Sequence, residues 1–312
     1  MAYLLTNSVA SLNMYIYILS EMRNPSSLSA AKSQIVTFFK ELPSNSFALS
    51  ELKNYLFDNK TKLKLAPSTS PKKFIEFLTQ ERILQLAEIR FPYKRFIRYV
   101  KPECSVLDLA ASLIKGAYFS HYSAVHVHDL SEQLPKTIYI NSEQGEKTRT
   151  RVVLKQRNID VAFSRPWRTS NNIAQYKDCN IYWLNGMYTG NLGVIQIPYQ
   201  DAHNILVTDI ERTLIDIAVR PVYSGGIFEV LKAYKAAIPK VDLGKLLGYL
   251  RQIGFMYPYH QAIGFYLEKA GLPSHRTEAL KSFGLSYDFY LTHQIKSKVY
   301  SQDWKLYYPS GF

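Results

Sequence analysis

The sequence predicts an α+β protein in which a small, mainly helical N-terminal domain precedes a larger mixed α/β domain. Three segments before residue 81 carry apolar residues at helical spacing, and two short apolar runs follow on either side of a basic turn. After residue 103, runs rich in Ile, Val, Tyr and Trp alternate with further helical segments. This change of pattern predicts a domain boundary near residue 102.

The chain is long enough for two domains, because 312 residues with 47% hydrophobic content supply two cores. We expect an N-terminal arm or helix over 1–27, a first domain over 28–102 and a second over 103–312. No run approaches the length of a membrane span, and the first residues lack a basic leader, so we expect a cytoplasmic protein with no membrane partner. Cys104 and Cys179 are too few for a disulfide scaffold and are expected to be buried thiols.

The first two helices of the N-terminal domain are indicated by apolar spacing and by their ends. Apolar residues recur at helical intervals from Ala31 to Leu42, and Pro43 ends that segment. Residues 47–49 form a short extended piece, after which Ser50 is expected to cap a second helix.

A third helix and a β-hairpin are predicted over residues 70–100. Ser70 is a good N-cap and Pro71 suits the first helical position, which leaves Lys72 and Lys73 on the outer face. Two apolar runs then flank residues 90–95 and predict two strands joined by a basic turn. The order of helix, short strand, helix, basic turn, helix and hairpin is that of a winged helix-turn-helix.

This fold predicts contacts with double-stranded DNA. The start of the third helix faces base edges in the major groove, while nearby lysines and arginines contact phosphates. The candidates near bases are Ser68, Thr69, Ser70, Lys72 and Lys73. The candidates near phosphates are Lys60, Lys62, Lys64, Arg90, Lys94 and Arg95, with Tyr93 at the tip of the hairpin.

Basic residues are concentrated in this first domain. Residues 28–100 hold 13 lysines and arginines against 6 acidic residues, whereas residues 101–312 hold 24 against 18. About a quarter of the chain thus carries +7 of the net charge of +13. This concentration favours nucleic-acid binding, and a winged helix that serves only in protein interaction is the alternative.

The second domain is expected to open with a helix capped by Ser105 and to contain strands at residues 136–140, 151–154, 179–184 and 194–197. Lysines and arginines between 147 and 168 alternate with apolar residues and predict a cationic sheet face. Single-stranded RNA binding is an alternative function of this domain, because aromatic residues in or near these strands would stack on bases: Trp167, Tyr176, Tyr182, Trp183 and Tyr188. Core packing of these rings is the competing interpretation.

Three histidines, His121, His126 and His128, suggest a metal site. The first and third could share a helical face, but His126 lies off that face and no cysteine completes the set. We therefore expect hydrogen-bonded or surface histidines, and no metal or other cofactor.

The strongest local pattern of the second domain lies at residues 204–218. An apolar strand runs into Thr208, which with Glu211 predicts a capping box at the start of a helix. The glycine pair Gly225 and Gly226 permits positive φ or a close approach. Further helices are expected near 243–252 and 259–269, and an extended tail over 287–308.

The acidic residues of this pattern also suggest a metal-dependent nuclease, which we keep as an alternative function. Asp209, Glu211 and Asp216 supply carboxylates, but the spacing of a restriction-type site is missing. The sequence also contains no phosphate-cradling Gly-rich loop and no nucleophile elbow. We expect no catalytic residues and no enzyme activity.

Several separated blocks resemble the AbiEi family of antitoxins. They are YFSHYSAVH at 118–126, PKTIYI at 135–140, VTDIERTLID at 207–216, Arg220-Pro221 and Gly225-Gly226. The resemblance covers residues 103–270, and an upstream winged helix suits the two-domain plan of the family. It implies that Asp209, Glu211, Arg212, Asp216, Gly225 and Gly226 are signature positions of the antitoxin domain, which we interpret as fold-forming.

The resemblance implies a type IV toxin-antitoxin system with a role in abortive infection as a phage defence. Such an antitoxin represses its own operon at inverted repeats in promoter DNA, as a monomer or weak dimer that binds cooperatively. It also counteracts a cognate nucleotidyltransferase toxin without forming a stable inhibitory complex.

Overall fold

The structure is a computed structural model that describes residues 27–147, 153–199 and 203–312. It forms two compact units, one of residues 27–86 with Arg98–Glu103, the other of Ala87–Ile97 with Cys104–Phe312. The predicted α+β class is confirmed. The predicted arm or helix over 1–27 lies, except for its last residue, outside the described residues. Within them, no helix combines the length and apolar character needed to cross a membrane.

The N-terminal part of the chain has the predicted order of elements. They are α1 (Ser27–Ala30), α2 (Lys32–Glu41), β1 (Ser46–Phe47), α3 (Leu49–Asn59), α4 (Pro71–Gln80), β2 (Gln85–Phe91) and β3 (Lys94–Val100). The three strands form one sheet in the order β1-β3-β2, in which Ser46 of β1 lies opposite Val100 of β3.

The first unit packs around the apolar faces of α2, α3 and α4. The rings of Phe39 and Phe47 meet edge to face at 5.6 Å, and Phe74 of α4 lies 6.4 Å from Phe39. Leu52 and Leu78 are fully buried beside them. This core fixes the face of α4 that remains outside.

The start of α3 differs from the prediction. Its N-cap is Ala48 rather than Ser50, and the helix begins at Leu49. Alanine offers no side-chain acceptor, and the carboxylate of Glu51 accepts the Ala48 N–H at 2.6 Å instead. The capping interaction therefore comes from within the first turn.

The hairpin also differs from the prediction in its turn. Only Pro92 and Tyr93 form the turn, so Arg90, Lys94 and Arg95 lie on the strands. Both strands extend further towards the tip than predicted, and in the first of them the apolar alternation continues through Phe91 into the segment interpreted as a turn.

The second unit contains a six-stranded mixed sheet and the helices connected to it. These elements are α5 (Val106–Leu113), β4 (Tyr118–Phe119), α6 (His121–Val127), β5 (Thr137–Asn141), α7 (Gln156–Ser164), β6 (Ile173–Tyr176), β7 (Cys179–Leu184), β8 (Val194–Tyr199) and β9 (His203–Thr208). The strand order is β6-β7-β5-β4-β9-β8. β5 runs parallel to β7 and β4 parallel to β9, whereas β4 with β5, β6 with β7 and β8 with β9 form antiparallel pairs.

A helical layer and a small sheet follow the mixed sheet. They comprise α8 (Ile210–Val219), a 3-10 helix (Pro221–Ser224), α9 (Ile227–Ala237), α10 (Leu243–Ile253), α11 (Tyr259–Lys269), α12 (Ser274–Lys281), β10 (Phe289–Tyr290), β11 (Lys298–Ser301) and β12 (Leu306–Pro309). Helix α8 is buried on nearly all sides, because α6, α9, α10 and α11 all pack against it. The Ser105 cap of α5 and the helices α10 and α11 agree with the predictions. The tail predicted as extended over 287–308 consists of three short strands separated by bends and turns.

The predicted cationic sheet face is not formed by the cations that the structure describes between 147 and 168, none of which lies on a strand. Of the predicted strand 151–154, residues 151 and 152 lie outside the described residues and the other two form no strand. Lys155 and Arg157 lie at the start of helix α7, and Arg165 ends it. The apolar residues that alternate with these cations belong to the buried face of a helix, as Ile159 and Phe163 do.

Candidate nucleic-acid interface

Helix α4 has the capping and burial pattern that the sequence predicts. The hydroxyl of Ser70 accepts the backbone N–H of Lys73 at 3.3 Å, and Pro71 occupies the first helical position. Phe74 and Leu78 are buried, whereas the outer face carries Lys72, Lys73, Glu76 and Gln80. The positive end of the helix and two lysines therefore lie together at the surface.

The two lysines at the start of α4 are available to a ligand. The side chain of Lys72 is 85% exposed, and its ammonium lies 3.9 Å from Glu76, a solvated pair that is easily exchanged for another partner. Lys73 is exposed and forms no ion pair within the described part of the chain. Both lysines thus present charge without a strong competing carboxylate.

The loop before α4 adds further cations. Lys62 and Lys64 are exposed, and Lys64 has a positive φ of 52°. Lys60 donates to the carbonyl of Pro67 at 2.6 Å and so braces the loop. Ser68 is exposed, but Thr69 is only 7% exposed, so its side chain is not offered to a ligand in this conformation.

The candidate residues of the hairpin have protein partners. Glu88 pairs with Arg90 at 2.6 Å and also with Arg95. The hydrogen bond from Arg90 is the main cause that lowers the pKa of Glu88. Tyr93 at the tip is 95% exposed. The hairpin therefore holds two guanidinium groups on one carboxylate, with an open ring at its tip.

Trp183 and Lys94 make contacts that the sequence did not reveal. The indole ring lies 5.8 Å from Phe91 and 6.2 Å from Phe96, and its N–H donates to Ser142 at 2.6 Å. The ammonium of Lys94 lies 5.0 Å from the ring centre of Phe96 and 5.6 Å from that of Trp183. Trp183, a predicted base-stacking candidate, therefore packs against protein rings.

At the start of α8 the predicted capping box is wrong. The N-cap is Asp209, whose carboxylate accepts the Arg212 N–H at 2.8 Å. Thr208 ends strand β9, and its hydroxyl lies 2.8 Å from that of Thr213. A carboxylate one residue later provides a stronger acceptor for the first helical N–H groups than the threonine hydroxyl.

The acidic pair Asp209 and Glu211 shares one cation and several hydrogen-bond donors of the chain itself. The ammonium of Lys245 lies 3.0 Å from each carboxylate. Asp209 also accepts the Tyr249 hydroxyl at 2.6 Å, and Glu211 accepts the Asp242 N–H at 2.9 Å. Burial alone would lower the pKa of Lys245, but the hydrogen bonds to the two carboxylates raise it above its usual value. Both carboxylates are thus engaged with protein donors.

Arg212 joins α8 to the loop before β8. Its guanidinium donates to Asp216 at 2.9 Å, to the carbonyl of Leu192 at 2.7 Å and to the hydroxyl of Thr189 at 3.0 Å. Glu143 receives the Thr189 N–H at 2.7 Å. Although burial alone would lower the pKa of Arg212, Asp216 raises it above the usual range. Glu143 and Thr189 were not predicted as parts of this network.

Two of the three histidines, His121 and His128, have protein partners. His121 is buried, with Nδ1 at 2.9 Å from the hydroxyl of Ser120, and burial lowers its pKa to about 4. His128 donates to the carbonyl of Thr208 at 2.6 Å. The described residues contain no group of three or more His, Cys, Asp or Glu side chains arranged to hold a metal ion.

The glycine pair has the conformation that the sequence predicts. Gly225 has φ 76° and ends the 3-10 helix, and Gly226 has φ 92° and precedes α9. A Cβ on Gly225 would lie 2.9 Å from the side chain of Glu229. Positive φ at both residues makes the sharp turn between the 3-10 helix and α9 possible.

The fold has a counterpart among solved structures. The crystal structure of the RV2827C protein from Mycobacterium tuberculosis is similar, with a TM-score of 0.56, 14% sequence identity, and coverage of 89% of this chain and 91% of that chain. At this identity the similarity concerns the fold alone. No family model matches the sequence, and no curated protein matches it significantly.

Proposed function

We propose that this protein is a DNA-binding antitoxin of the AbiEi type, which represses its own operon and counteracts a nucleotidyltransferase toxin. The observation that carries the proposal is the exposed pair Lys72 and Lys73 at the start of α4, in a helix order typical of a winged helix-turn-helix. The sequence blocks that resemble the AbiEi family extend the proposal to the second unit.

In the proposed complex, the start of α4 enters the major groove of promoter DNA. Lys72, Lys73 and Ser70 lie nearest to base edges, and Lys62 and Lys64 contact phosphates. The hairpin offers Arg90, Lys94 and Arg95 as further phosphate contacts once DNA competes with Glu88 and with the rings beneath Lys94. Two copies on inverted repeats would account for cooperative binding by a monomer or weak dimer.

The proposed antitoxin role requires no catalysis and no cofactor. The engagement of Asp209 and Glu211 by Lys245 supports a fold-forming role for these signature positions rather than the metal-holding role of a nuclease. The proposal places the protein in the cytoplasm, together with its promoter and its toxin.

Two cellular readouts test the two halves of the proposal. A reporter behind the DNA upstream of this reading frame should be repressed by the wild-type chain and not by the Lys72→Glu, Lys73→Glu variant. Expression of a nucleotidyltransferase from the neighbouring reading frame should arrest growth, and co-expression of the wild-type chain should restore it. Loss of repression with retained growth rescue in the double variant would assign the two roles to separate units. No repression and no rescue by the wild type would refute the proposal.

A further inference from the structure

The second unit contains a cavity of about 440 Å³ that the proposed function does not use. It lies between the end of α10, the start of α11 and the segment that follows α12. Its volume falls in the range of about 300–1,000 Å³ that is typical of small-ligand sites.

The walls of this cavity are largely aromatic. The rings of Phe255, Tyr257, Tyr259, Phe283 and Tyr287 line it, together with the imidazole of His260. The rings of His260 and Phe283 are stacked, with centres 5.4 Å apart and planes at 25°. Most of these rings are only partly buried. The cavity therefore offers several flat apolar surfaces to a planar ligand.

The charge of the lining is positive. Arg251 is exposed, and its guanidinium carbon lies 5.5 Å from the ring centre of Phe283. Among the described residues that line the cavity there is no carboxylate, and Arg251 forms no ion pair within the described part of the chain. An anionic group would supply the missing partner, because a guanidinium binds phosphate through two parallel hydrogen bonds.

His260 adds a hydrogen-bond acceptor to the cavity. Its Nε2 donates to the carbonyl of Gly284 at 2.7 Å. Burial lowers the pKa of His260, so the neutral ring retains Nδ1 as an acceptor near pH 7. A nucleobase carries amino or imino donors that such an acceptor recognises.

We propose that this cavity binds a nucleotide, with the base against the aromatic rings and the phosphate at Arg251. Stacked rings, a single unpaired guanidinium and a lining free of carboxylates among the described residues are together the chemistry that recognises a flat base with a phosphate. The alternative occupant, an apolar side chain of a protein partner, would fill the aromatic part of the cavity but would offer no anion to Arg251. The nucleotide is either a free mononucleotide or one unit of a single strand.

Isothermal titration of the full-length protein tests this proposal. The probes are AMP, GMP, CMP and UMP, with adenosine and a single-stranded hexa-adenylate for comparison. We expect at least one mononucleotide to bind with a submillimolar Kd, and its nucleoside to bind about tenfold or more weakly. Tighter binding of the hexanucleotide than of AMP would identify a strand as the source, and the reverse would identify the free nucleotide.

Variants locate the site. Arg251→Gln should weaken mononucleotide binding about 10- to 100-fold, as expected for loss of a charge-assisted hydrogen bond. Phe283→Leu should weaken it and Phe283→Tyr should retain it. The matched control is Lys269→Gln, since Lys269 lies 5.5 Å from the ring of Phe265 outside the cavity. Circular dichroism confirms that each variant is folded.

The proposal is overturned if no probe binds to the wild type, if Arg251→Gln binds as the wild type does, or if Lys269→Gln shows an equal loss. The Lys72→Glu, Lys73→Glu variant separates this proposal from DNA binding, because it should lose promoter DNA and keep the mononucleotide. If it loses both, the mononucleotide binds at α4 and not in the cavity.

Discussion

The ammonium of Lys245 lies 3.0 Å from the buried carboxylate of Asp209, and equally close to that of Glu211. The side chains of both acids are only 5% exposed. The two carboxylates that the sequence suggested as metal ligands are thus paired in the fold with a lysine of the same chain. Removing that cation would leave two like charges close together in a poorly solvated place.

We therefore predict that Lys245→Ala lowers the free energy of unfolding by about 2 kcal/mol. This value lies below the usual cost of breaking a buried pair because the Lys245 side chain is 41% exposed. Urea unfolding provides the measurement. Lys232→Ala, which breaks a pair with Glu229 at the surface of α9, is the control and should change stability by less than about 0.5 kcal/mol, because the Lys232 side chain is 65% exposed. Equal effects of the two substitutions would contradict the buried-pair interpretation.

Two helical glycines are predicted to respond in opposite ways to alanine. A Cβ on Gly264 of α11 would lie 2.1 Å from the indole of Trp304, a fully buried ring. Gly264→Ala should therefore cost about 3 kcal/mol through overpacking. Gly248 of α10 is exposed and meets nothing within 4 Å, so Gly248→Ala should stabilise by about 0.5–1 kcal/mol. Thermal unfolding of both variants measures the difference. An unchanged or raised midpoint for Gly264→Ala would contradict the close packing of α11 against Trp304, and a lowered midpoint for Gly248→Ala would contradict the prediction for α10.

The buried His121 predicts a loss of stability in acid. Its pKa is lowered to about 4 in the fold, against about 6.5 in the unfolded chain, so the unfolded state binds more protons between these values. Stability should fall as the pH drops from 6.5 to 4, by up to about 3 kcal/mol, with no contribution from this residue above pH 6.5.

His121→Asn removes this titration, and asparagine tolerates the positive φ of 52° at this position. Urea unfolding between pH 7 and pH 4.5 should show a shallower decline for the variant than for the wild type. Parallel declines would mean that His121 is not the group responsible.

Glu76 is predicted to contribute to sequence selection by α4. It lies on the same exposed face as Lys72 and Lys73, and a carboxylate accepts hydrogen bonds from the amino group of cytosine. Selection from randomised duplexes should therefore show a cytosine preference that Glu76→Ala loses, a discrimination of about 1–3 kcal/mol. The control Glu41→Ala, on the exposed end of α2, should select the wild-type sequence. An unchanged consensus for Glu76→Ala would exclude this role.

Local rules predicted the parts of the fold that depend on neighbouring residues. Ser70 and Pro71 define the start of α4 because capping involves only the first turn of a helix. The same rules failed at α8, where Thr208 and Asp209 are both good N-cap residues and strand β9 extends through the first of them. Local sequence does not decide between two adjacent acceptors when a strand competes for one of them.

The contacts around Arg212, around Trp183 and in the cavity join residues that are distant in sequence. Arg212 reaches Thr189, and Glu143 holds the same loop from 46 residues away. Trp183 packs on Phe91 and Phe96, which the sequence pattern assigned to a separate domain. The cavity beside Arg251 likewise combines three separate segments. Such contacts follow from the topology of the chain, and the spacing of apolar residues within one segment does not predict them.

The central claim is that Lys72 and Lys73 contact promoter DNA, and the salt dependence of binding tests it most directly. Fluorescence anisotropy should be measured on the duplex upstream of this reading frame for the wild type, for Lys72→Glu with Lys73→Glu, and for the charge-matched control Lys40→Glu with Lys235→Glu. We predict that wild-type binding weakens steeply with salt, that the control still prefers this duplex over unrelated DNA, and that the α4 variant does not. Equal affinity of the α4 variant and the wild type for this duplex would contradict the claim.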